Sequence, residues 1–99
     1  MGLYQGGLPP CHATVVNISD NTTTIYTGKC IFYGWTVNTA LSAHVNLITD
    51  GATTVFSTAA SAPVGTTITF PMGVEFNTSL LINQDDSATG SITVFWREE

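Results

Sequence analysis

CIFYGWTV, residues 30–37, packs three aromatics into four consecutive positions, Phe32 to Trp35. Successive side chains of a strand point to opposite faces. Strict alternation therefore predicts a strand with Ile31, Tyr33, Trp35 and Val37 on its buried side and Phe32 on the other. SITVFWR (91–97) has the same character, with Ile92, Val94 and Trp96 on one face and Phe95 opposite. Leu80-Leu81-Ile82 leaves no polar face at all. Strands apolar on both sides are buried on both sides, yet a two-layer sandwich has a single interior. No stretch of ten residues carries a helical period that would supply a covering helix. The expected cover is another copy of the chain or another protein, with Phe32 and Phe95 as contact residues.

Working outward from this strand, short apolar or alternating runs follow one another between turn signals, the pattern of an all-β sandwich or barrel. The runs are 13–18, 22–26, 30–37, 44–49, 53–58, 66–70, 74–76, 80–83 and 91–97. Asp50-Gly51 between two of them is a strong hairpin signal, because Gly accepts the positive φ that tight hairpin turns demand. The expected fold is all-β: a compact antiparallel β-sandwich or jelly-roll-like barrel of about eight short strands, one domain over residues 11–99. Residues 1–10 (MGLYQGGLPP) read as an extended N-terminal arm, with three glycines, two adjacent prolines and no periodicity. Fully extended, ten residues reach roughly 33 Å. Leu3, Tyr4 and Leu8 are the arm's candidate anchors to a neighbouring subunit.

Composition removes several function classes. Lys29 and Arg97 are the only fixed cations against seven carboxylates, for a net charge of −5. Nucleic-acid binding is not expected, because neutralising phosphates requires a basic patch. No run approaches the ~20 apolar residues of a spanning helix, and no membrane role is expected. Charged residues are 9% of the chain, where soluble domains average roughly a quarter. Polarity comes instead from hydroxyls and amides, with Thr occurring seventeen times. Thr is β-branched and suits a pleated, half-wet surface. The first residues lack a basic stretch and an apolar core region, so they do not read as a secretion signal. The Asn-x-Ser/Thr triplets at Asn17, Asn21 and Asn77 are then expected to be accidents of composition.

Site chemistry is sparse. Cys11, Cys30, His12 and His44 make a zinc-like inventory, but zinc motifs pair ligands two to five residues apart. Here only Cys11-His12 are close, and adjacent strand residues point apart, so no metal is expected. The cysteines are expected as free buried thiols. Asp85-Asp86, with Asn83, Gln84 and Ser87, is oxygen-rich and lacks EF-hand spacing; a solvated turn is expected over a calcium site. No G-x-S-x-G elbow or Gly-rich phosphate loop occurs. Neither catalysis nor a cofactor is expected.

Four stretches, GKCIFYGWTVN (28–38), VNLITDGAT (45–53), FPMGVEFNTSLLIN (70–83) and SATGSITVFWR (87–97), resemble small structural proteins of tailed bacteriophages. The shared features are a Gly-flanked apolar strand leading to Val-Asn, a strand ending in Asp-Gly, a Gly-apolar-x-Phe-Asn-Thr step, and a closing strand of alternating Val and aromatics. Where this chain has Ser79 after that step, the family pattern commonly has Gly. The resemblance implies a virion component assembled in the host cytoplasm. The expected function is non-enzymatic: a capsid decoration protein that oligomerises, as a trimer by first expectation, and reinforces the shell by contact with the major capsid protein. The alternatives are a tail, neck or fibre component, or a carbohydrate- or receptor-binding module using Trp35, Tyr33 and Tyr4.

Overall fold

In the computed structural model the described residues are 11–18, 22–84 and 87–99. They form eight strands: β1 (His12–Asn17), β2 (Thr23–Thr27), β3 (Cys30–Thr39), β4 (Leu47–Asp50), β5 (Thr53–Ser57), β6 (Thr67–Phe76), β7 (Ser79–Asn83) and β8 (Ser91–Glu98). The strands build two antiparallel four-stranded sheets, ordered β1-β8-β3-β6 and β2-β7-β4-β5. The all-β sandwich expected from the turn spacing is the fold.

The strand order follows from one long folded ribbon. β4 pairs with β5 across the Asp50-Gly51 turn, β3 with β6, β2 with β7 and β1 with β8. Rolling that ribbon brings β8 against β3 and β7 against β4, which divides it into two stacked sheets with the topology of a jelly roll. The tip is Asp50-Gly51, where Gly51 takes φ +60°, a conformation that costs a glycine little.

Between the sheets lies a core of Val16, Ile18, Phe32, Trp35, Val37, Ile48, Phe76, Leu80, Ile82, Ile92, Val94 and Trp96, among others. Each fully buried aliphatic or aromatic side chain stabilises the fold by about 1.5–3 kcal/mol relative to exposure. Strand β8 follows its sequence alternation: Ile92, Val94 and Trp96 are buried and Phe95 is half-buried on the opposite side.

Strand β3 does not follow it. Phe32 is 0% exposed and packs against Phe76, Phe56, Phe70 and Trp35, with ring centroids 5.5 to 6.1 Å apart. The cause is a β-bulge. Against β8, Phe32 pairs with Trp96 and Gly34 with Phe95, so β3 advances two residues while its partner advances one. One extra residue reverses the phase of alternation. Cys30 and Phe32 therefore point inward before the bulge, and Trp35 and Val37 after it. Ile31 and Tyr33, expected on the buried side, are only half-buried. The assignment of Phe32 to an outward contact surface is corrected accordingly.

A second irregularity joins two expected strands into one. The expected runs 66–70 and 74–76 merge, from Thr67 on, into the continuous β6, where Phe32 opposes Val74 while Gly34 opposes Thr69. Four residues, Phe70 to Gly73, thus bulge out of the ladder, and Met72 is 94% exposed. Pro71 is tolerated because β6 is an edge strand, whose outer side needs no N–H donor.

The turn after β6 is held from the ribbon's tip. The Asp50 carboxylate accepts hydrogen bonds from the backbone amides of Asn77, Thr78 and Ser79 at 3.0, 2.8 and 3.3 Å. The Asp-Gly and Phe-Asn-Thr steps, far apart in sequence, are therefore two halves of one contact. These amides, that of Asn77 above all, hold the Asp50 carboxyl below its ordinary pKa. A carboxyl with a depressed folded-state pKa contributes stability above its unfolded value, about 3.9, and loses it as pH falls through the folded value. Asp50→Ala should cost about 1–2 kcal/mol at neutral pH. The difference from the parent protein should shrink below about pH 4, as measured by urea midpoints across pH; a pH-independent difference would contradict the carboxylate's role.

Candidate interaction surfaces

Three surfaces have enough character to bind. The first is the outer face of the β1-β8-β3-β6 sheet. It divides into two halves because the two sides of the β3 bulge carry different residue types. Toward the end of β8 lie Phe95, Ile31 and Tyr33, all half-buried, and the hydroxyl of Tyr33 accepts a bond from Arg97 Nε at 2.9 Å. Val15 on the neighbouring edge strand is 68% exposed. The other half is a hydroxyl and amide ladder: Thr36 with Thr67 at 2.8 Å, Asn38 with Thr93 at 2.6 Å, and Ser91 with Thr39 at 3.1 Å. Cross-strand pairs of this kind satisfy one another and leave the surface polar without charge. No described helix covers this face.

The second surface is a groove where the two sheets part, between edge strands β5 and β6. It encloses about 310 Å³ and is lined by Trp35, Phe56, Ile68, Phe70, Ala59 and Ala62, with Ser57 and Thr66 at its margin. Phe56 and Phe70 stack across it at 4.7 Å. The opposite flank, between β1 and β2, is closed: Trp96 lies 5.0 Å from Tyr26 and 4.6 Å from His12, and its indole N–H donates to Thr14 Oγ1 at 2.9 Å. Among the described residues the β5–β6 flank is thus the more open of these two. Trp35 itself is 5% exposed, a wall of the groove and not the projecting platform expected of a sugar-stacking residue.

The third surface is the carboxylate-rich end of β8. His12 Nε2 and Glu98 Oε1 are 2.7 Å apart. Glu98 is held below its ordinary pKa by its own backbone amide and by that hydrogen bond to His12. Glu99 shares a hydrogen bond with Glu75 and is raised by it, with Lys29 and Arg97 pulling the other way.

Among the other residues singled out by sequence, Leu3, Tyr4, Leu8 and Asp85-Asp86 lie outside the described residues. No group of three or more His, Cys, Asp or Glu gathers into a metal-sized cluster among the described residues. Both cysteines are free, as expected, but only Cys30 is buried; Cys11 is exposed at the foot of β1. Burial, with the charges of Asp50, Glu98 and Glu99, pushes the Cys30 thiol up to about 11. Since the thiolate is the reactive species, a native-state thiol titration at pH 8 should register one group promptly and the second only on unfolding. Two fast thiols would contradict the burial of Cys30.

The groove was not legible in the sequence, because its walls come from four separate segments and its aromatics read as ordinary core. Compared with protein-family models, with curated proteins and with solved structures, the chain finds no significant match.

Proposed function

We propose that this protein is a non-enzymatic virion structural protein, a capsid decoration protein that binds the outside of a phage shell as a homo-oligomer and reinforces it. The observation that carries the reading is the uncovered outer face of the β1-β8-β3-β6 sheet. There half-buried Phe95, Ile31 and Tyr33 lie beside a charge-free hydroxyl ladder, with Val15 exposed opposite Thr93. The charges of this face are Arg97 and Glu75, which flank Ile31 in the ladder, and the Arg97 guanidinium already donates to the Tyr33 hydroxyl. The remaining apolar and hydroxyl area fits a partner of similar character, because burial against that area desolvates few ions. The resemblance read in residues 28–97 points to the proposed partner, the major capsid protein. Jelly rolls also serve as lectin and cupin domains, so the fold alone does not choose among these roles.

Mechanistically, each docked copy would bridge neighbouring shell subunits, and the small contribution per contact is multiplied over many copies. The test is binding of purified protein to capsids that lack it, with copy number per particle counted by quantitative mass spectrometry. Hundreds of copies, abolished by Phe95→Asp with the fold intact by circular dichroism, is the expected result. About a dozen copies would transfer the reading to a tail or neck component. Binding to a glycan array with none to capsids would overturn both.

A further inference from the structure

We infer that the groove between β5 and β6 receives the N-terminal segment, residues 1–10, of a second copy of this chain, with Leu3, Tyr4 and Leu8 entering it. The inference deepens the decoration reading and rests on it only for the expectation that copies assemble. The strand edges that flank the groove suit an extended occupant. Among the described residues β5 pairs with β4 alone and β6 with β3 alone, so the apolar groove is flanked by two edges that each present an unpartnered side. Such edges accept an added extended segment. Its volume of about 310 Å³ stands at the lower limit of the roughly 300–1,000 Å³ typical of small-molecule sites. Among the described residues Ser57 and Thr66 are its polar lining residues, too few to orient a polar ligand. Apolar side chains suit it better.

Residues 1–10 supply them. The segment has no charged side chain, and after Met1 its large apolar side chains are Leu3, Tyr4 and Leu8. Pro9-Pro10 favours an extended backbone at its base. Reach decides which copy donates. Residue 11 precedes β1, and β1 and β6 are the two opposite edges of one sheet. They are three strand spacings apart, ~14 Å in a straight line, and a chain must also pass around the sheet to enter the groove. Leu8 is three residues from Cys11 and spans at most ~10 Å, so it falls short of its own groove. Leu3 and Tyr4, eight and seven residues from Cys11, reach roughly 24–27 Å, so reach alone excludes Leu8, and with it the three-anchor fit, from the chain's own groove. A neighbouring copy can bring all three.

The experiment uses the full chain in a Cys11→Ser background, where the remaining Cys30 is buried and its thiol is raised to about 11. Gln5→Cys leaves the three anchors intact and is combined with Ser57→Cys at the groove margin. The control combines Gln5→Cys with Thr24→Cys, on the exposed side of β2 at the opposite flank. Circular dichroism verifies that each variant folds. Under mild oxidation at tens of micromolar, chain-to-chain disulfides should form through Ser57→Cys at least about tenfold faster than through Thr24→Cys, since docking brings the thiols to an effective concentration near millimolar. A synthetic peptide of residues 1–10 in excess should suppress the difference. Equal rates at the two positions, or closure within single chains, would overturn the inference. No shell is present in this measurement, so the two readings fail separately: links without capsid binding remove the decoration role, and capsid binding without links removes the groove assignment.

Discussion

Gly34→Ala is expected to cost about 2–6 kcal/mol, the sum of backbone strain and overpacking, a large part of the 5–15 kcal/mol that holds a typical domain. Gly34 sits at the bulge of β3 with φ +127°, a conformation that residues with a Cβ rarely adopt. An added methyl would lie 2.0 Å from the carbonyl oxygen of Ile68 and 2.9 Å from its carbonyl carbon. These are backbone atoms of the adjoining strand, so no rotamer change relieves the clash. Either β6 must separate from β3 or the bulge must close, and closing it would turn Phe32 to solvent. The measurement is a urea or thermal midpoint, with soluble yield as a second readout if the variant does not fold. A midpoint within error of the parent would show that the bulge is not located at Gly34.

Phe32→Ala should cost about 3–5 kcal/mol. For a chain of this size that corresponds to a fall in Tm of some 12–40 °C, at 4–8 °C per kcal/mol. The ring is wholly buried and is the common neighbour of Phe56, Phe70, Phe76 and Trp35. Its removal therefore leaves a cavity at the centre of an aromatic cluster, not at its margin. The same substitution separates two descriptions of β3. On an unbroken alternation Phe32 would face outward, and truncation would move stability by no more than about 0.5 kcal/mol while weakening partner binding. With the bulge, the cost falls on stability first. Phe95→Ala provides the contrast, because its ring lies on the opposite side of β8 from Val94 and Trp96.

How a ten-residue strand can mislead is clear from these two residues. Apart from Gly34 the positions of CIFYGWTV suit a strand, and nothing in the order of side chains announces that Tyr33 is an additional residue. Gly34 is the only local sign, since an isolated glycine within a strand often marks a bulge. The decision rests with the neighbouring strands: the register of β8 leaves no residue opposite Tyr33, that of β6 bulges there by four residues, and Phe32 gains a fully apolar environment by turning inward. In β8 no such conflict arises, so Ile92, Val94 and Trp96 lie where alternation places them.

Local chemistry by itself determined that the chain is all-β and antiparallel, with about eight strands, a hairpin at Asp50-Gly51 and an interior rich in aromatics. Turn residues and the two-residue period act over a few positions, and their signal survives without any knowledge of neighbours. Only the tertiary structure decided which sheet each strand joins, that residues 67–76 form one edge strand through Pro71, and that Phe32 is core. It also decided that Asp50 anchors the Asn77–Ser79 turn and that an apolar groove opens between β5 and β6. Each of those depends on which segments become neighbours across tens of residues. Pairing at that range is set by the sum of burial over the whole sandwich, a quantity that no single stretch of sequence contains.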